Sequence, residues 1–120
     1  MKRRRLCFAV DLNNDPKAIE SYKLHHRPGG PPAAVTRSLR AAGICELEIH
    51  LLGNRLFMIM EVDAEYSPDD EARADVGNAD VQAWNVLMES MQQALPFATG
   101  DASSGKWCRM KCIYSLSEQP

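Results

Sequence analysis

The sequence predicts an α+β fold in which helices pack on one face of a single antiparallel sheet. Segments with the alternation typical of strands and segments with helical spacing follow one another in the order strand, helix, strand, strand, helix, strand. This order is the ferredoxin-like βαββαβ plan. The chain has 120 residues, which suits a single domain. We therefore expect one ferredoxin-like domain over residues 1–120.

The first strand and the helix after it have clear boundaries in the sequence. Leu6–Leu12 alternates like a strand and leads into a turn. In this turn Asp15 can cap a helix, and proline at position 16 suits the first helical position. A helix is therefore predicted from Lys17 to about His26.

A second helical piece and a hairpin follow. Arg27–Pro32 contains three prolines and two glycines, which cannot continue a helix. Ala33–Ala42 resumes the helical pattern, and Gly43 is a natural C-terminal cap. Cys45–Leu51 then alternates between apolar and polar residues, whereas Leu56–Val62 is apolar on both faces, as a central strand is.

Four segments complete the predicted plan. Tyr66–Asn78 is acidic and poor in apolar residues, which predicts a surface loop. Val81–Leu95 has apolar residues on one helical face and predicts the second long helix. A loop is expected over Pro96–Gly105, and Lys106–Leu116 is predicted to be the last strand.

Composition argues against several classes of partner. The 14 basic and 16 acidic residues give a net charge of -2, so nucleic-acid binding is not expected. The longest apolar run, roughly Leu56–Met60, is far shorter than the ~20 residues of a membrane span. The apolar run after the basic start ends at Asp11, which differs from a signal peptide. We therefore expect a cytoplasmic protein that binds neither nucleic acid nor membrane.

Recognisable cofactor and metal motifs are missing from the sequence. It contains no P-loop, GxGxxG, HExxH or nucleophile-elbow pattern. Cys108 and Cys112 are separated by three residues, unlike a CxxC pair. Cys7 and Cys45 also lie in apolar segments, so all four cysteines are expected to be small core residues. We predict no cofactor and no metal.

The second and last strands each have a polar face. Glu46 and Glu48 lie on one of them, and Arg109 and Lys111 lie on the other together with Trp107. If two molecules pack sheet to sheet, these acidic and basic residues meet across the interface and set its register. A homodimer is therefore predicted, and the alternative is a solvated polar face.

A small group of residues could perform acid–base chemistry. Tyr22 and His26 are four apart and share one face of the first helix, next to its break. A neutral imidazole can take and give a proton near pH 7. His25 is rotated by about 100° from His26 around the helix. The alternative is a surface pair or a capped helix end.

The second long helix adds two candidate ligand contacts. Trp84 lies on its apolar stripe and is either a core residue or an aromatic platform for the C–H surface of a sugar. Asn85 follows it and can bond sugar hydroxyls.

The chain resembles the L-rhamnose mutarotases and their L-fucose-acting relatives over nearly its whole length. Five segments carry the resemblance by their order and spacing: Tyr22–His26, Gly43–His50, Gly53–Glu61, Val81–Met88 and Lys106–Leu116.

The resemblance implies a fold, a reaction and a set of site residues. This family consists of ferredoxin-like homodimers, or dimeric α/β barrels, that interconvert the α and β anomers of a deoxyhexose without a cofactor. His26 aligns with the family's acid/base histidine and Tyr22 with its sugar-contacting tyrosine. Trp84 aligns with the first residue of a Trp-Trp pair, of which Asn85 replaces the second. The implied enzyme is an isomerase acting on L-fucose or L-rhamnose.

Several alternatives remain open at this point. A further sugar-contacting tyrosine of the rhamnose enzymes falls at Leu47, and the region around Pro31–Ala33 lacks a Trp-Pro-Glu stretch. Candidate carboxylate partners for His26 are Asp11 and Glu48. The rival functions are a cofactor-free oxygenase, an activity that ferredoxin-like dimers also host, and a non-catalytic sugar-binding domain.

Overall fold

The computed structural model describes residues 3–97 and 106–120 and contains an antiparallel sheet. Its strands are β1 (Arg4–Leu12), β2 (Ile44–Leu52), β3 (Arg55–Val62), β4 (Gln92–Gln93) and β5 (Cys108–Arg109). The sheet order is β2-β3-β1-β4, and β5 also pairs with β1. The first and third strands are therefore central, which confirms the ferredoxin-like prediction.

Helices connect these strands on one side of the sheet. The α-helices of the described ranges are α1 (Pro16–His25), α2 (Ala33–Ala41), α3 (Pro68–Val76) and α4 (Ala79–Ser90). The predicted cap of α1 is confirmed, since the Asp15 carboxylate accepts the Lys17 backbone N–H at 3.1 Å. None of the helices in these ranges is long and apolar enough to cross a membrane.

The prediction of a surface loop over Tyr66–Asn78 is wrong, because this segment contains α3. Ser67 Oγ accepts the Asp70 backbone N–H at 3.3 Å, and Pro68 occupies the first turn. The acidic residues of that turn are favourable at the positive end of the helix dipole. No residue of α3 is fully buried, so the sequence shows no apolar stripe from which to recognise the helix.

The second long helix is shorter than predicted. α4 ends at Ser90 instead of Leu95, because the chain turns at Met91 and pairs with β1 over β4. In this pairing Gln92 lies opposite Leu12. Sheet pairing thus replaces the last turn of the predicted helix. Residues 98–105, the greater part of the loop predicted over Pro96–Gly105, lie outside the described residues.

The last strand is also much shorter than the predicted Lys106–Leu116. Of this predicted strand, only the two residues of β5 pair with β1, opposite Phe8 and Ala9. One more bond follows, from the Met110 N–H to the Cys7 carbonyl at 2.8 Å, before the chain leaves the sheet. The segment after it is exposed, including the apolar side chains of Ile113 and Leu116.

Strand register sorts the side chains of the sheet between its two faces. Across β1 and β3, Leu6 pairs with Met60 and Val10 pairs with Leu56. All four are buried on the face that packs against the helices. Two core clusters form there, one of Val10, Leu12, Tyr22, Leu56, Met88 and Met91 and one of Leu6, Ile44, Met60, Val62 and Tyr66.

The opposite face carries a row of half-buried apolar side chains. Cys7 pairs with Ile59, and Ala9 pairs with Phe57 on one side and Cys108 on the other. We call these five residues the apolar stripe. The stripe lies on the face of the sheet that is free of helices.

Arg109 lies on the helix-packed face, contrary to the expectation that it faces a partner's Glu46 and Glu48. Arg109 pairs with Phe8, and its guanidinium carbon is 5.9 Å from the centre of that ring. Glu48 pairs with Ile59 and therefore lies on the helix-free face. Residues paired across strands share a face, so the register of β5 places these opposite charges on different faces.

Candidate active site

A cavity of about 380 Å³ lies between the helix-packed face of the sheet and helices α1 to α4. Cavities of this size hold small ligands. All four residues predicted for the site line it, namely Tyr22, His26, Trp84 and Asn85. The structure thus brings side chains of α1 and α4 together, although β2 and β3 lie between these helices in the sequence.

The rings of Tyr22 and His26 are stacked, with centroids 4.3 Å apart and planes inclined by 29°. The helical spacing that relates them also allows His26 Nδ1 to bond the Tyr22 backbone carbonyl at 2.7 Å. A carbonyl only accepts, so Nδ1 carries the proton in this bond. Nε2 is the ring nitrogen left for a ligand.

The environment of His26 favours the neutral imidazole. Burial lowers the pKa of His26 below its ordinary value of 6.5, and the charge of nearby His25 lowers it further. The bond to the Tyr22 carbonyl acts in the opposite direction but is the smaller effect. With Nδ1 protonated, Nε2 offers a lone pair to a ligand at neutral pH.

Tyr22 is buried and places a hydroxyl group at the same cavity. Its side chain is part of the core cluster, and burial raises the pKa of Tyr22 above 10.0. The phenol therefore stays protonated and can both donate and accept a hydrogen bond. Its ring fixes the stacked imidazole, and its hydroxyl is available to a polar ligand.

Trp84 both packs against the core and lines the cavity. It is partly buried and packs against the core cluster of Tyr22 and Met88. It also lines the cavity, with its ring edge-to-face against His26 at a centroid distance of 5.3 Å and an angle of 66°. Asn85 is exposed and lies at the same cavity.

Neither carboxylate considered as a partner of His26 is next to it. Asp11 receives two hydrogen bonds from the Arg55 guanidinium, at 2.8 and 3.2 Å. Glu48 pairs with His50 at 3.0 Å. The physical reason is strand alternation, because Asp11 and Glu48 both point to the helix-free face while His26 lies on the other.

Three carboxylate residues line the cavity, Glu46 of β2 and Glu71 and Asp75 of α3. Glu71 accepts the Tyr66 hydroxyl at 2.6 Å, and Asp75 accepts the Ser38 hydroxyl at 3.2 Å. Burial raises the pKa of Glu71 and that of Asp75. Both belong to α3, so the prediction of a loop there concealed them.

Sequence reasoning also missed Gln92 and Trp107, which line the cavity. Gln92 fell within the predicted helix Val81–Leu95, and only its strand pairing turns it inward. Trp107 was expected on an outer polar face. The register of β5 places Cys108 on the helix-free face. Because neighbouring strand residues point to opposite faces, Trp107 then points toward the cavity.

Fold and cavity together define a ferredoxin-like α+β protein with a half-buried histidine in a ligand-sized cavity. A family model described as L-rhamnose mutarotase matches residues 5–116. The chain therefore belongs to the L-rhamnose mutarotase family. It is a mutarotase, an isomerase that interconverts the anomers of a sugar. Family membership thus decides against the oxygenase and the non-catalytic sugar-binding domain.

Individual relatives agree with this assignment. An L-fucose mutarotase of Xanthomonas campestris pv. campestris is 42% identical over 118 residues, covering 98% of this chain and 92% of that protein. A UPF0734 protein of Dictyostelium discoideum is 31% identical over 109 residues, covering 90% and 86%. The crystal structure of an L-rhamnose mutarotase from Formosa agariphila superposes with a TM-score of 0.65 at 20% identity, covering 94% and 98%, and supports the fold.

Proposed function

We propose that the protein interconverts the α and β anomers of a 6-deoxy-L-hexose, with L-fucose as the first candidate and L-rhamnose as the second. The observation that carries the proposal is the neutral, stacked His26 with Nε2 left for a ligand in the cavity. L-fucose is placed first because the relative from Xanthomonas is an L-fucose mutarotase. Leu47 in the cavity wall also differs from the tyrosine that the family resemblance gives to the rhamnose enzymes.

The proposed mechanism needs one proton to leave the sugar and one to return. His26 Nε2 accepts the proton of the anomeric hydroxyl while the bond from the anomeric carbon to the ring oxygen breaks, and the imidazolium so formed gives this proton to the released ring oxygen. The product is the open-chain aldehyde. Rotation about the bond between the first two carbons presents the other face of the aldehyde. Closure reverses the proton transfers, so His26 ends in its starting state.

Other side chains of the cavity bind the sugar in this proposal. Trp84 offers an apolar edge and face to the C–H surface of the ring, and Tyr22 and Asn85 bond its hydroxyls. These contacts hold the ring oxygen and anomeric hydroxyl near His26 Nε2. Positioning of this kind is what converts a slow spontaneous reaction into an enzymatic one.

Saturation-transfer NMR on the two anomeric protons tests the proposal directly. We expect the protein to accelerate anomer exchange of L-fucose, L-rhamnose or both in buffer containing a chelator. D-glucose and D-galactose serve as comparison sugars. No acceleration with any of these aldoses would contradict the proposed function.

The pH dependence of exchange should reflect the lowered pKa of His26. Protonation removes the Nε2 lone pair, so enzyme-catalysed exchange should be near its maximum at pH 7 and fall with acidification, with a midpoint below 6.5. The titration of the His26 ring protons followed by NMR should give the same midpoint. A midpoint above 6.5 would mean that a negative charge, rather than burial, controls this residue.

We also propose that two copies of the chain form a homodimer through their helix-free sheet faces. The apolar stripe is partly exposed in the single chain, which is typical of an interaction surface. Beyond β5, Ile113 is 91% exposed and Leu116 is 75% exposed. A second copy is the occupant that would cover both regions and make a dimeric α/β barrel.

Sedimentation at micromolar concentration should give about twice the 13.4 kDa mass of one chain. Ile59→Lys places an unpaired charge in the centre of the stripe and should shift the protein to monomers. Val76→Lys is the matched control, because Val76 is 78% exposed on α3 and lies outside the stripe. A wild-type monomer under these conditions would contradict the dimer.

The proposed location is the cytoplasm, and the proposed partner is the monosaccharide rather than nucleic acid or membrane. All four cysteines are free thiols, as expected in a reducing compartment. Of the predicted core cysteines, however, Cys45 and Cys112 are exposed. That prediction is wrong for these two, because β2 is an edge strand and Cys112 follows the end of β5.

A further inference from the structure

Gln92 is a buried polar side chain at the cavity that the mechanism does not yet use. It is 4% exposed and lines the cavity beside Tyr22. Its Nε2 donates to the Tyr22 hydroxyl at 3.3 Å. Its Oε1 is buried and has no hydrogen-bond partner among the described residues.

The backbone around Gln92 is held firmly, so the side chain has little freedom to move away. Gln92 pairs with Leu12 of the central strand β1. The Lys106 ammonium group donates hydrogen bonds to the backbone carbonyl of Gln92 at 2.9 Å and to that of Glu89 at 3.0 Å. The backbone position of Gln92 beside the cavity is therefore fixed.

Rotating the amide by half a turn does not remove the unpaired group. Oε1 would then accept from the Tyr22 hydroxyl, and the Nε2 hydrogens would lose their partner. Buried polar groups are almost always hydrogen-bonded, so an orphan amide at a cavity points to a ligand that completes it. A hydroxyl group suits either orientation because it both donates and accepts.

We infer that Gln92 is a substrate-binding residue whose free amide atom bonds one sugar hydroxyl and makes the enzyme selective for it. This inference rests on the proposed sugar mutarotase function. When Nε2 donates to Tyr22, the phenolic proton is free to donate to a neighbouring sugar oxygen. Gln92 and Tyr22 can thus bond two neighbouring oxygens of the sugar.

Selectivity follows from the burial of this contact. A site built to bond a substrate hydroxyl discriminates against an analogue that lacks it, because the buried amide is then left unpaired again. Gln93, the next residue, points to the opposite side of the short strand and is exposed. It provides a control of the same residue type.

The first arm of the test measures L-fucose binding to Gln92→Met and Gln93→Met by NMR titration. Methionine keeps the approximate volume and removes both polar atoms of the amide. We expect binding to weaken about 10- to 100-fold in Gln92→Met, with no change in Gln93→Met. The variant removes the unpaired oxygen but also the bond to the Tyr22 hydroxyl, so thermal melting is measured to confirm that it folds. Unchanged binding by a folded Gln92→Met protein would overturn the inference.

A second arm separates direct contact from an effect through Tyr22. Gln92→Met is combined with Tyr22→Phe, and a direct contact predicts that Gln92→Met still weakens binding in that background. Loss of the Gln92→Met effect there would show that Gln92 only positions Tyr22, and would overturn direct contact.

The third arm uses the wild-type protein and does not depend on whether a variant folds. Among 2-, 3- and 4-deoxy-L-fucose, the analogue without the hydroxyl that Gln92 bonds should bind about 10- to 100-fold more weakly than L-fucose. Gln92→Met should no longer distinguish that analogue from L-fucose. Equal binding of all three analogues to the wild type would overturn the inference.

Binding and exchange are measured separately, so the two proposals fail in different ways. If the wild type binds L-fucose without accelerating exchange, the proposed function fails while the three arms still decide the role of Gln92. If it accelerates exchange but Gln92→Met binds normally, only the inference fails. A wild type that neither binds nor accelerates L-fucose or L-rhamnose overturns both.

Discussion

His26→Ala should slow anomer exchange by about 10²–10⁴-fold, the usual effect of removing a proton-transfer group. His26 lines the cavity, and its Nδ1 bonds the Tyr22 carbonyl. Nε2 is therefore the ring nitrogen left for the sugar, and the alanine variant lacks it. Binding of the sugar should change much less than exchange. The measurement is saturation-transfer NMR on L-fucose, with titration of the same sugar for affinity.

His25→Ala is the matched control for this prediction. His25 Nδ1 bonds the Ser21 carbonyl at 2.7 Å, and its ring is 6.4 Å from that of Trp84. It does not belong to the residues that line the cavity. We expect a change of only a few-fold, together with a small rise in the pKa of His26, whose pKa the His25 charge lowers. Equal losses in both variants would mean that the two histidines act together, and a loss in His25→Ala alone would contradict the assignment of His26.

Trp84→Ala should reduce both sugar affinity and stability, because the indole contacts the cavity on one side and the core on the other. Truncation of a buried tryptophan to alanine lowers the free energy of unfolding by about 3–5 kcal/mol. Trp84 is partly buried, so the loss should fall in the lower part of that range. Sugar affinity should fall because the apolar platform beside His26 is gone. Thermal melting and sugar titration are measured on the same preparation.

Val86→Ala controls for truncation of a side chain on α4. Val86 is 67% exposed, so neither melting nor sugar binding should change appreciably. Trp84→Phe retains an aromatic face and should recover most of the affinity. A large loss of melting temperature in Trp84→Ala with unaltered sugar binding would show that Trp84 is a core residue only.

Local chemistry determined much of the fold from the sequence alone. The alternation of β1 and β2, the apolar run of β3, the Asp15 cap and the proline-glycine break after α1 are local patterns, so the sequence alone predicts them. The pairing of Tyr22 with His26 is also local, since helical spacing alone makes their rings meet.

Other features could not be read in this way because they depend on partners distant in sequence. α3 has a polar surface all round, so only its Ser67 cap and acidic first turn mark it. The last predicted turn of α4 is replaced by pairing with β1, and that pairing is what turns Gln92 inward. Sheet pairing competes with helix propensity here and wins through hydrogen bonds that no local pattern reveals.

The sequence by itself determined the βαββαβ order and the four residues Tyr22, His26, Trp84 and Asn85 as site candidates. Only the tertiary structure decided that one cavity collects them and that Asp11 and Glu48 lie on the other side of the sheet. The physical reason is register. A strand alternates its side chains with a period of two, so the face on which a residue lies is settled only when its strand is aligned with a neighbour.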